Sequence, residues 1–219
     1  MSRSATTSGR LKRYTNLAVA LDMLRNRRIS LVNPSLWTDR NDQYLIEQYR
    51  QQHGYLFAGA VCLTQASETF HHWKIFADGM DGICVEFDQT GLESCLHAPG
   101  PLQFGPVSYL RLDDVKALPP EQVKRLPFLK RAGYSDEREY RIIAFDRTVR
   151  EMVEVPITLG CIGRVILSPF LPTNLANSVK ATIRQIEGCD KLRVIKSHLI
   201  NSATWQHNWA RRLAAGDAP

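Results

Sequence analysis

Glu137, Glu139 and Arg141 are the closest grouping of side chains in this chain that could do chemistry. They stand in Tyr134-Ser-Asp-Glu-Arg-Glu-Tyr-Arg-Ile-Ile-Ala-Phe145, which reads as a strand following a helical segment bearing Lys and Arg. Successive strand side chains point to opposite faces, so Glu137, Glu139 and Arg141 share one face and Arg138, Tyr140 and Ile142 the other. Such a trio is either a cross-strand ion-pair ladder or part of a site using carboxylates as acids, bases or fixed charges. Other polar candidates sit at element ends: Arg13 and Tyr14 on a first strand, Asn33 and Asp39 around a second, and Trp73 on a middle helix. Each has a plainer role open to it. Arg13 can pair with a surface carboxylate, and Trp73 can fill the core.

Several chemistries are excluded by spacing. His71 and His72 are adjacent and point about 100° apart on a helix, so they do not chelate one ion as an i,i+4 pair would. No G-x-S-x-G marks a serine nucleophile. Leu159-Gly-Cys-Ile-Gly-Arg164 has neither the P-loop nor the dinucleotide glycine spacing and reads as a turn between strands. The five cysteines form no C-x-x-C, and Cys62 and Cys84 lie in apolar strands, which predicts buried thiols in a reducing, cytoplasmic setting. No metal is expected.

The elements that must position the candidates follow from periodicity and punctuation. Residues 1–10 read as a flexible N-terminal tail, 11–197 as one domain and 198–219 as a polar C-terminal tail carrying Trp205 and Trp209. Within the domain, Leu11–Thr15, Ile29–Val32, Leu56–Leu63, Ile83–Phe87, Val107–Leu110, Val153–Pro156, Ile162–Leu167 and Leu192–Ile195 read as strands. Asn16 caps a helix over Leu17–Asn26, and Thr38 or Asp39 one running to about Gln52 with Tyr44, Leu45 and Tyr49 inward. Ser67 caps a third, Asp113 to about Arg131 is helical but broken by prolines, and Pro172–Ile186 is a further helix. No regular βαβα rhythm appears. That predicts an α+β domain with a mixed, mostly antiparallel sheet packed by several helices.

The 219 residues suffice to bury a core, and 44% hydrophobic with 23% charged residues is an ordinary globular balance that excludes wholesale disorder. A formal charge of +6 favours nucleotides or nucleic acid as partners without requiring them. No apolar run reaches spanning length, so no membrane partner is expected.

The order of blocks carries a resemblance. Leu11-Lys-Arg-Tyr14, Asn33-Pro-Ser-Leu-Trp-Thr-Asp39, Cys62-Leu-Thr64, Trp73-Lys-Ile-Phe-Ala77, Gly82-Ile-Cys-Val-Glu-Phe87 and Glu137-Arg-Glu-Tyr-Arg141 together resemble a large bacterial family of unknown function. Its pattern runs L-Y-K/R-Y, N-P-S-x-F-N-D-P, C-x-S, W-x-x-Y-A, G-x-C-x-x-F and E-x-E-x-R. Here Trp37-Thr38 replaces Phe-Asn, Thr64 replaces Ser and Phe76 replaces Tyr. The layout more distantly resembles the ADP-ribosyltransferase superfamily, which implies an ADP-ribosyltransferase-like fold with NAD as substrate. By that resemblance Glu139 is the catalytic carboxylate, steadying positive charge on the ribose, and Glu137 orients or deprotonates the acceptor. Arg13 would hold the pyrophosphate, Tyr14 or Trp73 would stack on nicotinamide, and Arg141 would lock Glu139. The implied function is a toxin or phage-defence effector modifying protein or nucleic acid. The alternative is a non-catalytic nucleotide- or nucleic-acid-binding module using Arg13 and the basic pairs Lys124-Arg125 and Lys130-Arg131, or a protein-interaction domain of a defence system.

Overall fold

A computed structural model describes residues 9–97 and 102–214. Most of the expected N-terminal tail, the prolines at 99 and 101, and the last five residues lie outside the described ones. In chain order the elements are β1 (Arg10–Asn16), α1 (Leu17–Asn26), β2 (Arg28–Val32), α2 (Arg40–Gln52), β3 (Phe57–Thr64) and α3 (Phe70–Phe76). Next come β4 (Gly82–Asp88), α4 (Gln89–Leu96), β5 (Leu102–Pro106), β6 (Ser108–Leu110), the single turn α5 (Pro120–Val123) and β7 (Leu129–Arg131). The chain continues through β8 (Glu139–Asp146), β9 (Met152–Pro156), β10 (Ile162–Leu167), α6 (Thr173–Arg184), β11 (Val194–Lys196) and α7 (Ala203–Ala214). The result is a single α+β domain.

Nine strands form one mixed, mostly antiparallel sheet in the order β11-β10-β4-β1-β3-β2-β9, with β8 paired to the other edge of β3 and β5 to β8. Among the described residues only β10 and β11 run parallel within it. β1 meets β3 at Lys12 opposite Thr64, and β2 meets the same edge at Val32 opposite Ala60. The edge of β3 around Cys62 is therefore where β1 and β2 part. β8 covers the other edge of β3 along its whole length, from Phe57 opposite Asp146 to Thr64 opposite Glu139.

Register sorts the side chains by face. Leu11, Val85, Phe87, Val61, Leu63, Tyr140 and Ile142 point to one side, where α1, α4 and α6 close the main apolar core. On the other side the apolar packing is in two smaller groups. One lies under α2 (Ile46, Tyr49, Ala58, Ile143, Phe145) and the other under α3 (Trp73, Cys84, Ile166).

The local reasons are legible. Asn16 caps α1 by accepting from the Val19 N–H at 2.9 Å, and Asp39 caps α2 by accepting from the Asn41 and Asp42 N–H groups. Three expectations need correction. The inward face of α2 is Asp42, Ile46 and Tyr49, while Tyr44 is exposed. The cap of α3 is Thr69 rather than Ser67. The stretch from Asp113 to Arg131 holds only short turns and ends in β7, because Pro119, Pro120 and Pro127 deny the backbone donors a longer helix needs. All five cysteines are unpaired thiols.

Candidate functional site

The strand carrying the acidic pair begins at Glu139, not at Tyr134. Residues Ala132–Glu137 form a 3-10 turn, closed by Arg138 in the left-handed region at φ 43°. Strand alternation thus explains Glu139 and Arg141 but not Glu137. A reversal at Arg138 brings Glu137 back to the same side. That turn is tied down at its carbonyls: the Thr64 hydroxyl donates to Glu137 O, and the Gln65 N–H to Arg138 O at 2.9 Å. At the start of β8 the Glu139 N–H donates to the Tyr109 hydroxyl at 2.8 Å.

The guanidinium of Arg141 is fully buried and organises the group. Its Nε donates to Glu139 Oε1 at 2.7 Å, and its two terminal nitrogens grip Asp42 at 3.0 and 2.7 Å in the fork geometry that suits a carboxylate. A further N–H donates to Pro127 O at 2.6 Å, and the Trp37 ring lies 5.2 Å away. Lys130 on β7 completes the group. Its Nζ donates to Glu137 at 2.6 Å and Glu139 at 3.1 Å, stands 3.9 Å from Asp42, and sits 4.9 Å from the centre of the Tyr134 ring.

Environment parts the two glutamates. Burial opposes charge on Glu139, but Arg141 and then Lys130 overcome it and hold its carboxyl down to about 2. Burial wins at Glu137 against Lys130, and pushes its carboxyl above the usual range. The side chain of Glu137 keeps 12% of its surface exposed against 3% for Glu139, so it is the less buried of the two. Burial also pushes the neighbouring Cys62 thiol well up, which keeps it protonated.

The remaining candidates divide. Glu137, Glu139 and Arg141 are brought together. Tyr14 lies on their face of the sheet, half-buried, stacked on His72 at 5.3 Å and edge-on to Trp73 at 5.1 Å. Trp73 is fully buried, donates Nε1–H to Glu68 at 2.7 Å and packs on Cys84 and Ile166, so no face of its ring is open. Rings with exposure on α3 belong to Phe70, His71 and Phe76. Arg13 leaves β1 on the opposite face, opposite Val85 in register. Only 8% exposed, its guanidinium is lowered to about 10 by burial, with Cys62 and Asp22 favouring its charge. Its Nη1 has no hydrogen-bond partner among the described residues. Asn33 and Asp39 serve as caps, and Asn33 lines a separate open groove of about 470 Å³ with Arg40, Tyr44 and Arg50.

Two members of the cluster, Lys130 and Asp42, escape a reading confined to the strand. Asp42 had a signal, since it falls four and seven residues before Ile46 and Tyr49 on one helical stripe. Lys130 had none beyond lying in a basic pair. Among the described residues no three His, Cys, Asp or Glu side chains converge as a metal site, and no helix is long and apolar enough to cross a membrane.

No protein-family model matches the chain, and no curated protein does. Among solved structures it is similar to Thermus sp. 2.9 DarT in complex with ADP-ribosylated ssDNA, at 11% identity over 90% of this chain and 98% of that one, with a TM-score of 0.46. It is similar as well to the same protein in complex with NAD+ (11% identity, 87% and 96% covered, TM-score 0.45) and with carba-NAD+ (12%, 87% and 96%, 0.44).

Proposed function

We propose that this chain is an NAD-dependent ADP-ribosyltransferase-like enzyme, an effector acting on protein or nucleic acid, with Glu137 and Glu139 as its working carboxylates. The observation that carries this reading is their unequal pairing on Lys130. One acid is fully buried and locked as an anion by Arg141, and the other is less buried, with its affinity for protons raised. Two titratable groups driven apart by environment are the mark of divided acid–base and electrostatic labour.

The chemistry is a substitution at the ribose carbon. The bond from that carbon to nicotinamide breaks, its electron pair leaves with nicotinamide, and positive charge spreads over the ribose. Glu139, ionised at any working pH, steadies that charge. The acceptor then bonds to the same carbon and gives its proton to Glu137, whose raised affinity suits a base. Lys130, which now lies against both carboxylates, has to give way to the cationic sugar. Arg13 leaves the opposite face of the sheet, so a role toward the pyrophosphate requires its unpaired Nη1–H to reach through the gap where β1 parts from β3 near Cys62. For stacking on nicotinamide, Tyr14 and Trp73 need their covering side chains to move, whereas Phe76 is already open.

Incubation with NAD+, following nicotinamide release and the mass of added acceptors, tests the reading. Turnover lost in Glu137→Gln, with folding and NAD+ binding kept, supports it. No nicotinamide release and no NAD+ binding by calorimetry would sink it. A non-catalytic nucleotide- or nucleic-acid-binding module is the second reading, favoured by one observation: the Arg141–Asp42–Glu139 pairing is complete without a ligand. Salt-dependent binding that survives Glu139→Gln would select it.

A further inference from the structure

We infer that α7 is a surface-seeking helix that lays its apolar stripe onto an anionic lipid surface. Trp205, Trp209 and Leu213 recur every four residues, so they form one stripe, and they are 66%, 49% and 64% exposed. The two indoles touch each other at 6.0 Å. None of the twelve residues of α7 is buried. A helix of that length is marginal by itself in water, so it needs cover. Residues 1–8, 98–101 and 215–219 contain no aromatic residue and no Leu, Ile or Val with which an apolar stripe would pack.

Charge says what kind of cover fits. Between Asp190 and Asp217 there is no acidic residue, while Lys191, Arg193, Lys196, Arg211 and Arg212 all lie there. Position on the helix then decides between anionic partners. At about 100° per residue, His207 and Arg211 project about 160° from Trp209, and Arg212 borders the stripe beside Trp205. A nucleic-acid strand would want aromatic and basic groups on one face. Here Arg212 alone flanks the indoles while His207 and Arg211 turn away, which suits a helix lying in a membrane interface, with indoles and leucine in the apolar layer and the long basic side chains at its border and behind it reaching to headgroups. Leu199 and Ile200, 40% and 48% exposed, lead into the helix and extend the apolar approach. The sequence-based expectation of no membrane partner rested on spanning length, and a helix lying on the surface does not need it.

Flotation of the full chain with phosphatidylcholine vesicles, with and without phosphatidylglycerol, tests the inference. The chain should float with the anionic vesicles only, and less as salt rises. Trp205→Ser with Trp209→Ser should abolish flotation, and Arg211→Gln with Arg212→Gln should weaken it about 30-fold. Circular dichroism should show both variants folded, since neither removes a buried side chain. Absence of flotation with anionic vesicles overturns the inference, as does flotation indifferent to the tryptophans. So does binding of a single-stranded oligonucleotide that the same variants abolish while vesicles bind nothing, which would make the helix a nucleic-acid surface. Nicotinamide release plays no part in these readouts, so the inference and the enzymatic reading fail separately.

Discussion

The two faces of the sheet are built on opposite terms, and neighbouring residues of β8 show it. Ile142 enters a continuous apolar core closed by three helices, while Arg141 enters a group of charges between two small apolar clusters. The charges are not confined to β8. Across the sheet on that same face stand Arg164, Glu86, Lys12, Thr64 and Glu139, joined by register, with Glu86 paired to Arg164 at 2.8 Å and Arg10 at 3.4 Å. One face supplies stability by removing apolar area from water. The other holds charged groups whose burial is tolerated because they pair with one another, while the Tyr14 hydroxyl, His72 Nε2 and Arg164 Nε have no hydrogen-bond partner among the described residues. A face that retains such a band at the cost of a larger core is where function is to be sought.

Breaking the charged face should have the largest effect on folding. Arg141→Met leaves the carboxylates of Asp42 and Glu139 buried with only Lys130 for company, a loss of about 3–5 kcal/mol. Adding Asp42→Asn and Glu139→Gln should recover part of it, because the stranded charges go as well. Urea denaturation of the single and triple variants measures the difference. A triple variant less stable than Arg141→Met would show that the carboxylates hold the fold through something other than Arg141. On the apolar face Ile142→Ala should cost about 2–5 kcal/mol through lost transfer energy and a cavity. That cost should be nearly independent of pH.

Acid sharpens the contrast further. The folded-state pKa of Glu139 is depressed to about 2, so its contribution is present above the ordinary glutamate value and is lost as pH falls from there toward 2. Glu137 has the opposite sign: its raised pKa makes ionisation a cost to the folded state, relieved as pH drops through that value. Stability should therefore hold or rise slightly on mild acidification and fall below about pH 4. Glu139→Gln should flatten the lower limb, and Glu137→Gln should remove the upper rise.

What was legible in the sequence follows the range of the signals. Asn16 capping α1 and the alternation of Glu139 with Arg141 are local, and both appear in the structure. Placing Glu137 on a strand was wrong because a left-handed Arg138 has no signature of its own; glycine or asparagine would have announced it. Asp42 reaches Arg141 across 99 positions, and no periodicity within β8 could announce that partner. The C-terminal stretch shows a second limit. Its overall polarity hid a stripe of three large apolar residues at helical spacing.

Smaller effects on stability separate working residues from structural ones. Glu137→Gln removes the less buried acid while leaving the Arg141 pairs intact, so it should cost under about 1 kcal/mol. If Glu137 takes the acceptor's proton, transfer to acceptor should fall by about 100-fold or more at unchanged NAD+ affinity. Glu139→Gln is the poorer test, because loss of activity there would also follow from the unpaired side of Arg141.

The smallest expected effect concerns α7, and its smallness is what makes it informative. Trp205→Ser and Trp209→Ser remove two large side chains, which in either apolar cluster beneath the sheet would cost several kcal/mol. In α7 each indole already faces water and touches chiefly the other. The melting temperature in buffer should therefore stay within the shift of about 0.5 kcal/mol that surface substitutions give. With anionic vesicles present the native chain should gain stability by mass action, because the surface binds the folded helix, and the variant should gain none. Equal melting temperatures in buffer and unequal ones on vesicles would identify α7 as a contact held in reserve. A variant that melts several degrees lower in buffer alone would show instead that α7 packs on its own domain.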